Sequence, residues 1–187
     1  MCGIVGYIGS SNAIDIILNG LETLEYRGYD SSGIAFLDNN KIDVVKTVGR
    51  ISNLREKLES EYKNKISNIG VGHTRWATHG VPSNENSHPH LSMNSKFAVV
   101  HNGIIENYLL LKEELLKKNF VFKSETDTEV IPQLLEDLDD GDFLSTVFKM
   151  RDKVKGSYAF GILRQDTNEL IGTRKESPLI VGVGDNE

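Results

Sequence analysis

Cysteine, proline and tryptophan are scarce: the 187 residues hold one Cys, four Pro and one Trp. A lone cysteine makes no internal disulfide, so the chain is no disulfide-stapled secreted scaffold. Long apolar runs are also missing. The longest, Ile16-Ile17-Leu18 and Phe97-Ala98-Val99-Val100, fall far short of the roughly 20 residues that cross a bilayer, so no membrane partner is expected. Basic charge is not in excess: 21 Lys+Arg face 27 Asp+Glu, a net charge of −6. Without a Lys/Arg stripe to neutralise phosphates, nucleic acid is not an expected partner. The chain does not open on a basic stretch and a cleavage pattern, so a reducing, cytoplasmic setting is expected. Hydrophobic residues at 39% and charged residues at 26% describe an ordinary globular domain, not a collagen, coiled coil or disordered tail.

What is present is unevenly placed. The single cysteine is Cys2, directly after Met1, and all five histidines fall between His73 and His101. Hydrophobic periodicity predicts strands over residues 3–9, 33–37, 42–48, 69–73, 97–101, 157–163, 169–173 and 179–183. It predicts helices over 12–24, 51–58, 107–117, 129–138 and 143–154, with Ser10, Ser11 and Asn12 offering caps for the first. Asp38-Asn39-Asn40-Lys41 reads as a hairpin turn. Pro132 fits a helix only near its first turn, where its missing N–H has no partner to lose. A long loop is expected from Thr74 to about Lys96, and loops of that length inside a domain are usually functional. Strands and helices in blocks, with hairpin-length turns, predict an α+β fold of mainly antiparallel sheets.

Cys2 can do what an internal cysteine cannot. Removal of Met1 puts a free α-amine on the residue that bears the thiol. An α-amine with a pKa of about 7.7–8.0 is a good general base near neutral pH. Nucleophile and base then share one residue. The alternative is an inert, buried small hydrophobe.

A thiolate attacking a carbonyl needs an oxyanion hole. Asn102-Gly103 offers a side-chain amide and a backbone N–H at the end of a buried strand, although on two residues alone an ordinary strand-terminating Asn-Gly turn is the more common outcome. An α-amino acid substrate needs a cation for its carboxylate and an anion for its ammonium. Arg75 suits the first, with its bidentate fork, or is a surface ion-pair partner. Asp127 suits the second, or is the N-cap of the following helix. Trp76 and His79 in a polar loop call for a surface to cover. A rival of another class is a zinc hydrolase, in which His88-Pro89-His90 and His73, His79 or His101 hold the metal. Against it, none of the usual carboxylate or thiolate zinc patterns is present.

Six segments stand in one order: residues 1–6 (MCGIVG), 24–31 (LEYRGYDS), 73–80 (HTRWATHG), 88–90 (HPH), 101–107 (HNGIIEN) and 124–130 (SETDTEV). Together they resemble the N-terminal glutaminase domains of the glutamine–fructose-6-phosphate aminotransferase (isomerising) family, over essentially the whole chain. The Arg-Trp-Ala-Thr-His-Gly stretch distinguishes them from amidophosphoribosyltransferases and asparagine synthetases. The resemblance implies the four-layer αββα sandwich of N-terminal-nucleophile hydrolases. It implies that Cys2 attacks the side-chain amide of L-glutamine, that Asn102 and Gly103 hold the oxyanion, and that Arg75 and Asp127 clamp the amino acid end. It makes residues 75–83 a lid, with Thr78 and His79 binding glutamine and Trp76 shielding the site or gating ammonia escape. Arg27 helps to position Cys2. No metal and no organic cofactor is implied.

The resemblance also implies that residues 1–187 are one glutaminase domain, truncated at its C-terminal end. The sugar-phosphate isomerase domains that use the ammonia are absent from the sequence, and the full-length protein is expected to be a homo-oligomer. A non-catalytic glutamine-binding module is the remaining alternative.

Overall fold

Helical spacing of Ile14, Ile17, Leu18 and Leu21 gives helix α1 (Ala13–Thr23) one apolar face, and that face is buried. Ile51, Leu54 and Leu58 do the same for α2 (Ile51–Glu61). The computed structural model describes residues 2–76 and 81–187. Both helices lie on a four-stranded antiparallel sheet of order β1-β4-β2-β3, made of β1 (Gly3–Ile8), β2 (Ser31–Asp38), β3 (Lys41–Val48) and β4 (Ile69–Arg75). A second antiparallel sheet, order β5-β6-β7-β8, comprises β5 (His90–Leu91), β6 (Phe97–Ile105), β7 (Gly156–Arg164) and β8 (Leu170–Lys175). Its outer face is covered by α3 (Tyr108–Lys117), α4 (Val130–Leu138) and α5 (Phe143–Lys153).

Strand periodicity explains the layering. On β6, Phe97 and Val99 point to the helices while Ala98 and Val100 point to the other sheet. On β2, Ile34 and Phe36 meet α1 and α2 while Ala35 faces inward. Alternating side chains thus bury both faces of each sheet. The result is the expected αββα sandwich, with Ile69, Val71, Ala98, Val100 and Leu163 between the sheets. Full burial of a side chain such as Ile17 or Leu21 contributes about 2 kcal/mol. No described helix is long and apolar enough to cross a membrane.

The β2–β3 hairpin pairs Asp38 with Lys41, leaving Asn39 and Asn40 as the turn at φ 49° and 61°. Two positive φ angles are what a type I′ turn requires, and Asn tolerates them. Pro132 occupies the third position of α4, where no intrahelical acceptor is lost.

Several expectations need correction. Strand β4 continues to Arg75 and β5 interrupts the expected long loop, because residues 74–75 still find partners on β2. Strand β6 does not end at Asn102-Gly103. It pairs with β7 through Ile105 opposite Gly156. Asn12 stands at the N-cap of α1 without a side-chain cap bond. Its Oδ1 instead accepts from Ser67 N at 3.2 Å. Asp127 does not cap α4: Glu129 precedes that helix, and the Asp127 carboxylate turns toward β6. The strand expected over 179–183 does not form. Past Pro178 this apolar run has no ladder partner among the described residues, and Ile180 and Val183 stay 92% and 90% exposed. A β-branched sequence makes a strand only where an edge receives it.

Candidate active site

The same alternation that builds the core places the polar residues. On β4, the inward face carries Ile69 and Val71 and then His73 and Arg75. On β6, it carries Ala98 and Val100 and then Asn102. At this end of the sandwich the sheets enclose a cavity of about 410 Å³ lined by Cys2, Arg27, His73, Arg75, Trp76, Asn102, Gly103 and Asp127 among others. That is a volume suited to a small metabolite.

Cys2 precedes β1 and is held from three sides. Its carbonyl accepts from Asn102 Nδ2 at 3.1 Å. The next amide, Gly3 N, donates to Thr74 Oγ1 at 3.1 Å. Its sulfur accepts from the backbone N–H of Trp76 at 3.2 Å, and a donor aimed at sulfur suits the charge of an attacking thiolate. Gly3 permits this approach, since a Cβ there would stand 2.9 Å from both Thr74 Oγ1 and Leu24 Cβ.

Asn102 is fixed in turn. Its Oδ1 lies 2.9 Å from His73 Nε2 across the two sheets. One of its two amide protons points to the Cys2 carbonyl, which leaves the other for a ligand. Gly103 has φ +136°, and a Cβ there would meet Ser157 O at 2.1 Å, so only glycine carries the chain through this point of β6. Asp127 Oδ2 accepts from Ile105 N at 2.8 Å, which anchors the carboxylate beside the end of β6. Arg27 closes the short 3₁₀ turn Glu25–Arg27 and lines the cavity. Trp76, 47% exposed, meets Tyr29 edge to face at 5.4 Å. Of the expected site residues, Cys2, Arg27, Arg75, Trp76, Asn102, Gly103 and Asp127 therefore share one cavity. Thr78 and His79 lie outside the described residues.

The four described histidines form a buried cluster, with ring centroids 4.2 Å apart for His73–His88 and 4.8 Å for His88–His90. Burial pushes His73 down to about 4 and His101 down to about 3. His88 and His90 lie well below the usual range, first through burial and then through neighbouring positive charge. All four are neutral at physiological pH. One ring nitrogen on each of three of them is taken by a side chain: His73 Nε2 by Asn102, His101 Nδ1 by Thr128 Oγ1 at 2.8 Å, and His90 Nε2 by Thr126 Oγ1 at 3.0 Å. Among the described residues, no group of three or more His, Cys, Asp and Glu is arranged to hold a metal ion.

The sequence reading gave Thr74 no role, and gave His73 one only in the zinc rival. The available signal was spacing: His73 stands two residues before Arg75, on the same face of one strand.

Known proteins resemble this chain in sequence and in fold. Residues 73–186 match the family model of the glutamine amidotransferase domain. The whole chain is 55% identical to part of a glutamine–fructose-6-phosphate aminotransferase [isomerizing] from Caldanaerobacter subterraneus, and 54% identical to part of the protein of the same name from Clostridium perfringens. It spans 31% and 30% of those relatives' lengths. Among solved structures, glutamine phosphoribosylpyrophosphate amidotransferase from B. subtilis, complexed with ADP and GMP, superposes on 88% of this chain and 35% of its own. That match has a TM-score of 0.75 at 28% identity. By its matching residues and its fold, the chain belongs to the glutamine amidotransferase domain family.

Proposed function

We propose that this domain hydrolyses L-glutamine to glutamate and ammonia through a Cys2 thioester. The observation that carries the reading is the threefold anchoring of Cys2 beside Asn102, in the cavity that Arg75 and Asp127 also line. Met1 must first be removed, because the Cys2 nitrogen is otherwise an amide and cannot act as a base. The freed α-amine takes the thiol proton and the sulfur attacks the amide carbon. The oxyanion is held by the second Nδ2 proton of Asn102 and by Gly103 N–H. The amine returns the proton to the departing nitrogen, releasing ammonia and leaving a thioester. It then deprotonates water, which cleaves the thioester to glutamate.

Arg75 pairs with the substrate carboxylate and Asp127 with its ammonium. Arg27 supports the Cys2 end, Trp76 shields the site, and Thr78 and His79 bind the glutamine. In this reading residues 1–187 are the glutaminase portion of a longer cytoplasmic, homo-oligomeric protein. Its sugar-phosphate isomerase domains use the ammonia to convert fructose 6-phosphate to glucosamine 6-phosphate. The 55% identity to proteins of that name supports this assignment.

The test is ammonia release from glutamine by protein whose N-terminus is verified by mass as Cys2, with trapping of a glutamyl adduct on Cys2. Release without fructose 6-phosphate, abolished by alkylation of Cys2, is expected. Glutamine binding without ammonia release from the intact protein would leave a binding module instead. Chelator-sensitive release would favour the zinc hydrolase.

A further inference from the structure

His73 has no place in the chemistry above, yet it is wholly buried at the cavity wall and is hydrogen-bonded to a side chain that does. The bond spans the two sheets: His73 stands on β4, opposite Ile4 of β1 and Gly33 of β2, and Asn102 on β6. A carboxamide has two orientations that differ by exchange of O and NH₂, and only one aims N–H groups at Cys2.

We propose that His73 is the positioning residue of the oxyanion hole: its Nε2–H donates to Asn102 Oδ1 and so holds the Asn102 amide protons toward Cys2 and the reacting carbonyl. The proposal deepens the glutaminase reading and rests on it.

Three observations support it. Asn102 Nδ2 already reaches the Cys2 carbonyl at 3.1 Å, so the oxygen must face His73, and His73 must present a proton there. His73 Nδ1 is buried with no hydrogen-bond partner. The opposite tautomer would leave an N–H unsatisfied at that position, which costs more than an idle lone pair. Finally, His88 packs against the His73 ring at a centroid distance of 4.2 Å, which restricts its rotation. Burial that keeps the ring neutral serves the same end. An imidazolium would put a buried N–H at Nδ1 and a positive charge next to Arg75.

The experiment compares His73→Leu, which removes the donor, with His73→Gln, whose Nε2 amide occupies the position of the imidazole Nε2, in the intact Met1-free protein. In His73→Leu, kcat for ammonia release should fall about 100-fold, the effect of losing one oxyanion donor, with KM for glutamine within about threefold. The inhibition constant of L-glutamate γ-semialdehyde, which forms a tetrahedral adduct with the thiol, should rise about 100-fold. His73→Gln should recover at least about tenfold of the lost kcat. Unchanged kcat in His73→Leu would overturn the proposal. So would equal losses in glutamine binding and turnover, or a folded His73→Gln no better than His73→Leu.

If the leucine variant does not fold, ¹⁵N NMR of the unsubstituted protein decides. A proton on His73 Nε2 and none on Nδ1 is expected, and the opposite tautomer ends the proposal. An unsubstituted protein that releases no ammonia while showing the expected tautomer would refute the glutaminase reading and leave the His73–Asn102 bond standing.

Discussion

The inner faces of β4 and β6 change character at the same level. Below it, Ile69, Val71, Ala98 and Val100 form a dry seam between the sheets. Above it, His73, Arg75 and Asn102 line a cavity with Cys2 and Asp127. Backbone pairing is continuous across the change, with β1, β2 and β4 in register from Gly70 to Thr74. One pair of strands therefore performs two tasks. The apolar half holds the sheets together by excluded water. The polar half inherits that rigidity and adds to it the hydrogen bonds of Asn102 to His73 and Cys2 and of Asp127 to Ile105. On the proposed reading, this keeps Cys2 and its hydrogen-bond partners in place without substrate.

Substitutions that separate the two halves test this division. Cys2→Ala should reduce ammonia release by at least about 10⁴-fold with an unchanged melting temperature. Substantial residual turnover would remove Cys2 as nucleophile. Asn102→Asp replaces both donor protons with acceptors and should lower kcat by about 10²–10³-fold at nearly constant KM. A pure KM effect would place Asn102 in substrate binding and not in the oxyanion hole.

The histidine cluster blurs the boundary, because it is polar and still part of the interior. His73 has a folded value of about 4 against roughly 6.5 in the unfolded chain. Between those values the unfolded state binds more protons, so stability falls as pH falls through about 6.5 and keeps falling toward about 4. From pH 7 to about 5 His73 alone should cost about 2 kcal/mol in urea unfolding. A flat profile over that interval would show that water reaches the cluster.

Asp127→Ala should raise KM for glutamine about tenfold with little change in kcat. A small stability loss from the freed Ile105 N–H accompanies it. An unchanged KM would take Asp127 out of the ammonium clamp. Smallest of all, Ile69→Val in the dry seam should cost about 1 kcal/mol of stability and leave kcat within about twofold. A larger fall in kcat would mean that the two halves are mechanically coupled.

Local order was plain in the amino-acid sequence. The strand and helix periods, the Asn39-Asn40 turn, the tolerated Pro132 and the chemistry available to a cysteine at position 2 are written in neighbouring residues. They depend on side-chain alternation and backbone angles that act over a few positions. The recurring motifs likewise pointed to Arg27, Arg75, Asn102, Gly103 and Asp127 as one site.

Only tertiary structure decided what those residues touch. Nothing in the sequence says that Asn102 spans to His73 and Cys2, that Asp127 holds the Ile105 amide instead of capping a helix, or that residues 179–183 find no edge to join. Each outcome depends on a hydrogen-bond partner tens of residues away. A polar side chain has several acceptable partners until packing removes all but one.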